Sequence, residues 1–310
     1  MTVSIIIPTY NRPALLQRAV VSALAACPQD GEVIVVDDRS DTAQTALCDV
    51  TDPRLRITTN TGDKGAAGAR NHGIAQANGE IVMFLDDDDV MVADYPGRVL
   101  AAAAGSEADW GFARLAEING IDQPLSLARY DETPRISSGL VGDDVPILDR
   151  LPAFSQGFWI RRQVFTELGP IYVDQKLDED TDYCFRLYGH RQKAWFETEP
   201  GCIYSRSYAV SGSDAPQLTR GSDKLIESQC HLRTFQRDQN YFKTHSAEQW
   251  ALIRRCLRFA AYNGVKETPK ILLRDLQPFR LRLRAWLFWQ IKCAGKKRYQ
   301  RRIAHNTLQA

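Results

Sequence analysis

Glu80-Ile81-Val82-Met83-Phe84-Leu85-Asp86-Asp87-Asp88-Asp89 is the stretch on which the reading of this chain turns. Ile81 to Leu85 is an apolar run too short for a helix. It predicts a strand buried on both faces, the kind found in parallel sheets covered by helices. Upstream the same rhythm recurs. Val3 to Ile7 predicts a first strand, and Pro13 opens a helix to about Ala26 with Ala14, Leu15, Ala19, Val20 and Leu24 on its apolar side. Glu32 to Val36 and Leu55 to Thr59 predict two more strands, and Ala66 to Ala77 a small-residue helix able to pack closely on a sheet. Short strands alternating with helices predict an α/β fold, a mostly parallel sheet flanked by helices. Downstream the rhythm changes. Trp110 to Ile118 reads as a strand, 119–150 as loops, Phe158 to Leu168 and Asp180 to Arg191 as helices, and Ala194 to Tyr204 as one or two strands. From Ser222 the pattern is helical and polar, interrupted at Pro269 and Pro278. The expected boundaries are 1–110 and 111–215 for two halves of one domain, and 216–310 for a helical, basic region.

In open α/β sheets ligands bind beyond the carboxyl ends of the strands. There the sequence places Pro8-Thr9-Tyr10-Asn11-Arg12, Asp37-Asp38-Arg39-Ser40 and Asp86 to Asp89. Neighbouring carboxylates about 4 Å apart repel by roughly 4 kcal/mol at an effective dielectric near 20, and a cation among them removes that cost. Hard oxygen ligands in this number suit Mg²⁺ or Mn²⁺ shared with substrate phosphates. The plainer alternative, a solvated turn that caps a helix, loses ground because the run follows a buried strand beside a second acidic pair. Gly62, Gly65 and Gly68 do not make a dinucleotide fingerprint: the spacing is wrong and the third strand, not the first, precedes them. A backbone turn before a tightly packed helix accounts for them, and Lys64 and Arg70 on that loop and helix are candidates to face a diphosphate.

Taken in order, these clusters resemble the family 2 glycosyltransferases of the GT-A fold. The matching stretches are Ser4 to Arg12, Val35 to Asp41, Gly68 to Gly73, Phe84 to Asp89, and Glu179-Asp180-Thr181-Asp182 at the start of a helix. The resemblance covers residues 1 to about 210. It implies an inverting transferase that moves a sugar from a nucleotide-sugar, in first place a UDP-sugar, to an acceptor hydroxyl in polysaccharide or glycolipid synthesis. It places the base and ribose on Thr9, Tyr10 and Asp38, with Pro8, Asn11 and Asp87 beside them. Asp86 and Asp88 would be metal ligands, Asp89 a close rival, and Asp180 the catalytic base, with Glu179 and Asp182 as neighbours to be excluded. For Glu179 to Asp182 the plainer account is ordinary helix N-terminal chemistry, since acids there favour the dipole. Two departures stand out. Arg39 occupies a position where many relatives have glycine. Tyr204 to Ser211 lacks the histidine that some relatives offer a metal, which leaves Tyr208, Ser211 or Ser213 to touch the diphosphate. The alternatives are a sugar-1-phosphate nucleotidyltransferase, which would want a glycine-rich basic loop after the first strand, and an inactive nucleotide-sugar-binding protein.

The net charge of +1 over 310 residues points to no nucleic-acid partner. It conceals an asymmetry: residues 270–310 hold eleven Lys and Arg against the single acid Asp275. With Trp286 and Trp289 interleaved, this tail predicts either a capping helix or a reversible contact with an anionic membrane, useful for a lipid-linked saccharide acceptor. Seven cysteines without a CxxC pair argue against a disulfide framework or a zinc site. The apolar strand at Val3 argues against a leader, and no apolar run is long enough to cross a membrane. A cytoplasmic enzyme, peripheral on the inner membrane face, is the expected setting.

Overall fold

The computed structural model describes residues 1–41, 48–118, 126–127, 137–142, 154, 157–205 and 223–307. Most of the loop expected at 119–150, and Tyr208, Ser211 and Ser213, lie outside these. The chain divides into one unit of residues 1–174 and 179–216 and a second of residues 175–178 and 217–310.

The first unit runs β1 (Val3–Thr9), α1 (Pro13–Ala26), β2 (Glu32–Asp37), β3 (Leu55–Thr59), α2 (Ala66–Gln76), β4 (Ile81–Phe84), β5 (Val90–Met91) and α3 (Tyr95–Gly105). It continues through β6 (Trp110–Ile118), β7 (Ser126–Leu127), β8 (Gly139–Leu140), β9 (Trp159–Arg161), α4 (Arg162–Leu168), α5 (Glu179–Gly189) and β10 (Ala194–Ser205). The strands form one sheet in the order β3-β2-β1-β4-β9-β6-β10-β5, with β7 on β6 and β8 on β10. Pairing is parallel from β3 to β4 and again between β6 and β10. Between these two blocks β9 runs antiparallel to both neighbours.

Alternation along each strand sorts side chains to opposite faces of the sheet. Ile5, Ile7, Val33 and Val35 join a core with Leu16, Ala19, Val20 and Ala23 of α1. Their neighbours Ile6, Ile34 and Val36 join a second core with Ala67 and Ala69 of α2 and the aromatic residues Phe84, Trp110, Phe154 and Phe158. Helices therefore cover both faces, as the unbroken apolar runs require. Close seating of α2 depends on its small residues. Gly65, at φ 117, makes the turn, and a Cβ at Gly68 would fall 1.8 Å from the carbonyl oxygen of Asp63.

The segment expected to be helical from Phe158 begins instead as β9. Phe158, Trp159 and Ile160 are fully buried, and pairing on both sides captures Trp159 and Ile160 in the sheet, so the helix starts only at Arg162. Helix α3 and strand β5 are additional to the elements read from the sequence, and the stretch 119–150, read as loops, contributes the short strands β7 and β8, which pair with β6 and β10.

The second unit contains α6 (Lys224–Arg237), α7 (Gln239–Phe242), α8 (Ser246–Asn263), α9 (Glu267–Asp275) and α10 (Phe279–Thr307). Asp223 caps α6 by accepting a hydrogen bond from the Leu225 amide. Gly264, in the left-handed conformation, ends α8. Pro269 interrupts nothing: it lies in the first turn of α9, where its missing N–H is not needed. Among the described residues no helix is long and apolar enough to cross a membrane.

Residues 175–178 are held within this second unit. The Gln175 side chain donates to the Cys230 carbonyl and to Thr234, and accepts from Arg237, each at 3.2 Å. Asp178, at φ 63, pairs with Arg255, and His231 Nε2 lies 3.4 Å from its carboxylate. Burial, and then the Arg255 charge, push the His231 pKa down to about 4, against a weaker upward pull from Glu227. A histidine whose folded pKa lies below its unfolded value contributes stability that is complete above about pH 6.5 and declines as pH falls toward 4. Denaturant titrations at pH 7 and pH 5 should show about 2 kcal/mol lost across that interval through this group. His231→Gln should remove that part of the pH dependence; an unchanged slope in the variant would assign it elsewhere.

Candidate active site

The register Thr9↔Asp37 between β1 and β2, and Ile6↔Phe84 between β1 and β4, sets the ends of three strands side by side. Asp86 to Asp89 follow β4. Asp87, Asp88 and Asp89 are buried, and Asp86 keeps a third of its side chain in solvent. Asp86, Asp88 and Asp89 present ligand atoms that all lie within 4.8 Å of one another. Asp89 is fully buried, and among the described residues neither of its carboxylate oxygens has a hydrogen-bond partner. Its pKa is raised well above the carboxylate range, by burial first and then by Asp88 and Asp86. Three converging carboxylates, one of them buried with both oxygens unbonded, fit a hard divalent cation.

Asp87 has a different place. It accepts from Thr9 Oγ1 at 2.8 Å and from Arg12 at 2.9 Å, while Arg12 also reaches Asp88 at 3.1 Å. Burial pushes the Asp87 pKa up to about 7, with Arg12 pulling it down and Asp88 pushing it further up. Arg18 donates to the Asp88 carbonyl at 2.6 Å. Together with Arg70, the protein's own guanidinium groups offset part of the carboxylate repulsion.

On the β1–β2 side, Asp38 is buried and accepts from Asn60 Nδ2 at 2.6 Å and the Gly65 amide at 2.7 Å, tying the second strand to the turn before α2. Asn11, at φ 54, donates its amide N–H to Ser40 at 2.8 Å and exchanges side-chain and backbone bonds with Asp41. Pro8 pairs in register with Val36, one residue before Thr9. Tyr10 is exposed, and Lys64 Nζ sits 4.2 Å above its ring. Arg39, where the resemblance led to an expectation of glycine, adopts φ 65 and donates to the Gly62 carbonyl at 3.2 Å. The turn thus keeps a left-handed backbone that costs a non-glycine residue about 1–2 kcal/mol.

Arg70 joins this cluster to the beginning of α5. Its side chain is 5% exposed; Nη2 donates to Asp86 at 2.7 Å and Nη1 to Glu179 at 2.6 Å, while the guanidinium lies over the Phe154 ring. The structure gives Arg70 a bridging place between two carboxylates, whereas the sequence suggested a diphosphate contact. Burial raises the Glu179 pKa, with Asp180 adding to the rise and Arg70 opposing it. Asp180 is partly exposed, and Asp182 is 3% exposed. Of the three acids opening α5, Asp182 is buried and Glu179 is bonded to Arg70, while Asp180, partly exposed like Glu179, accepts from the Thr181 amide at 2.6 Å.

The family model described as "Glycosyl transferase family 2" matches residues 4–168, over half of the chain and every element that builds the acidic cluster. The chain belongs to glycosyl transferase family 2. Over 93 residues it is 38% identical to the Escherichia coli UDP-Glc:alpha-D-GlcNAc-diphosphoundecaprenol beta-1,3-glucosyltransferase WfgD, a match covering 30% of this chain and 37% of that protein. The chain therefore spans little more than a third of that relative. The S. aureus TarS 1-349 structure in complex with UDP-GlcNAc superposes with TM-score 0.59 at 17% identity, covering 97% of this chain and 92% of that one. GalNAc-T7 with UDP, GalNAc and Mn²⁺ superposes with TM-score 0.55 at 16% identity, covering 74% and 48%. These structures share the GT-A-type fold with this glycosyltransferase. Membership of the family sets aside the nucleotidyltransferase alternative.

Arg12, Arg18 and Asn60 are site residues that the sequence reading gave no role. Arg12 stood inside a quoted motif, and a cation next to a run of acids was the available signal. Nothing in the sequence marked Arg18, whose partner is 70 residues away, or the bond by which Asn60, held locally by Gly62 and Asp63, reaches Asp38 22 residues away.

Proposed function

We propose that this glycosyltransferase moves a sugar from a UDP-sugar to a hydroxyl of a lipid-linked saccharide, with inversion at the anomeric carbon. The observation that carries the reading is the Arg70 bridge, which ties Asp86 of the acidic run to Glu179, next to Asp180. The reaction needs those two functions in one place: a site for the donor diphosphate and a carboxylate for the acceptor. Asp180 accepts the proton from the acceptor hydroxyl as its oxygen attacks the anomeric carbon, a single displacement that inverts configuration. Asp38 and Tyr10 hold the base and ribose, with Pro8, Thr9 and Asn11 shaping that edge, and Lys64 faces the diphosphate. Asp87 keeps Thr9 and Arg12 in place. Asp86, Asp88 and Asp89 would hold Mg²⁺ or Mn²⁺, which when bound offsets the charge of the departing nucleoside diphosphate. UDP in the names of the E. coli relative and both structural neighbours supports the donor, Mn²⁺ in one of them supports the metal, and undecaprenol in the E. coli name supports the acceptor.

The test is a screen of nucleotide-sugars for release of nucleoside diphosphate by the purified protein, with Mn²⁺ and with excess chelator. UDP release that needs the cation, and that Asp88→Ala abolishes, is the expected result. Mn²⁺ should also raise the melting temperature of the wild-type protein and leave that of Asp88→Ala unmoved. Full turnover in chelator would remove the metal from the mechanism, and no turnover with any donor would favour the inactive binding protein.

A further inference from the structure

Helix α10 has two unlike faces. Ala285 is buried, the Phe288 ring meets Trp250 of α8 edge-on at 5.8 Å, and the Arg284 guanidinium stacks 3.9 Å from the Trp250 ring centre. The other face carries Phe279 and Ile291, each 67% exposed, and Leu283, Trp286 and Leu287, each close to half exposed. At 3.6 residues per turn these five positions fall within an arc of roughly 140°. They are five of the thirteen exposed large hydrophobic side chains among the described residues, gathered on three and a half turns of one helix, so the patch is not the usual scatter of surface leucines.

Charge decides what covers it. The 29 residues of α10 contain no acid; Arg280 falls within the apolar arc, Lys292 and Lys296 fall on the opposite side with Ala285, and further along the helix Lys297, Arg298 and Arg301 recur at the phase of the arc. A second copy seated on the same face would oppose one row of cations with another. A partner with an apolar interior and an anionic surface satisfies both halves of the pattern. We propose that this face of α10 lies on an anionic phospholipid bilayer, with Phe279, Leu283, Trp286, Leu287 and Ile291 at the acyl boundary and the cations among the head groups. The inference extends the proposed reaction by taking the enzyme to the surface where a lipid-linked acceptor resides, and its test does not depend on turnover.

The full chain is sedimented with vesicles of phosphatidylcholine alone and of phosphatidylcholine with about one-third phosphatidylglycerol. Binding to the second only, released near 1 M salt where the screening length is about 3 Å, is expected. Trp286→Ser/Ile291→Ser should weaken binding about tenfold or more, while the circular dichroism spectrum and UDP release in solution stay unchanged. Arg280→Glu/Arg298→Glu keeps the apolar arc and should lose the preference for anionic vesicles. Equal recovery on both vesicles, or none on either, overturns the proposal. A vesicle-free dimer that Trp286→Ser/Ile291→Ser dissociates overturns it in favour of a second copy.

Discussion

Asp180→Asn should bind the donor with nearly the affinity of the parent enzyme and turn over roughly 10²–10⁴-fold more slowly, the usual worth of a general base. The substitution keeps the shape of the side chain at the start of α5 and removes its ability to take a proton. Its neighbours separate the roles. Asp182 is 3% exposed, so Asp182→Asn should act through stability rather than turnover. Glu179 is bonded to Arg70 at 2.6 Å, so Glu179→Gln should weaken that bridge and leave the base in place. Calorimetry with the donor, set beside turnover for the three variants, checks this order. Normal turnover in Asp180→Asn, or a product with retained configuration, would sink the assignment.

Arg70→Met should have the largest effect on stability. The guanidinium is almost wholly buried, and removing it leaves Asp86 and Glu179 facing each other without a cation. Breaking a buried ion pair costs about 3–5 kcal/mol. Asp86 keeps a third of its side chain in solvent, which places the expected loss near the lower end, about 3 kcal/mol. For a unit of this size that corresponds to a fall in melting temperature of roughly 6–12 °C. Arg70→Lys retains the charge but has one nitrogen where two carboxylates need one each, and should fall between. A melting curve for Arg70→Met that matches the wild type would show that the bridge has no structural weight.

What the sequence made legible was whatever a few neighbouring residues decide. Ile81 to Leu85 followed by four aspartates announces a buried strand ending in a charged site, because burial and like-charge repulsion both act over single residue spacings. The helix from Pro13 to Ala26 is legible for the same reason. Long-range pairing is not. Arg70 meets partners 16 and 109 residues away, and only the register of β1 with β4 decides that Thr9 and Arg12 reach Asp87. Phe158 to Arg161 is an apolar run that either a helix or a strand accommodates, and the vacancy between β4 and β6 settles it. Arg39 announced a departure from glycine, but that the backbone there stays left-handed is a property of the surrounding turn.

The antiparallel insertion of β9 has a consequence for how the chain is made. During synthesis β1 to β4 can assemble as soon as residue 84 is available, yet the strand that completes β4 on its open side is Trp159–Arg161. At about 5–20 residues per second, the intervening stretch takes roughly 4–15 s to emerge. For that time the nascent chain displays Ile81, Val82 and Met83 as an unpaired edge, a template on which another chain can add a strand. Substitutions that weaken β9 without touching the acidic cluster should therefore lower soluble yield more than they lower the activity of the protein recovered.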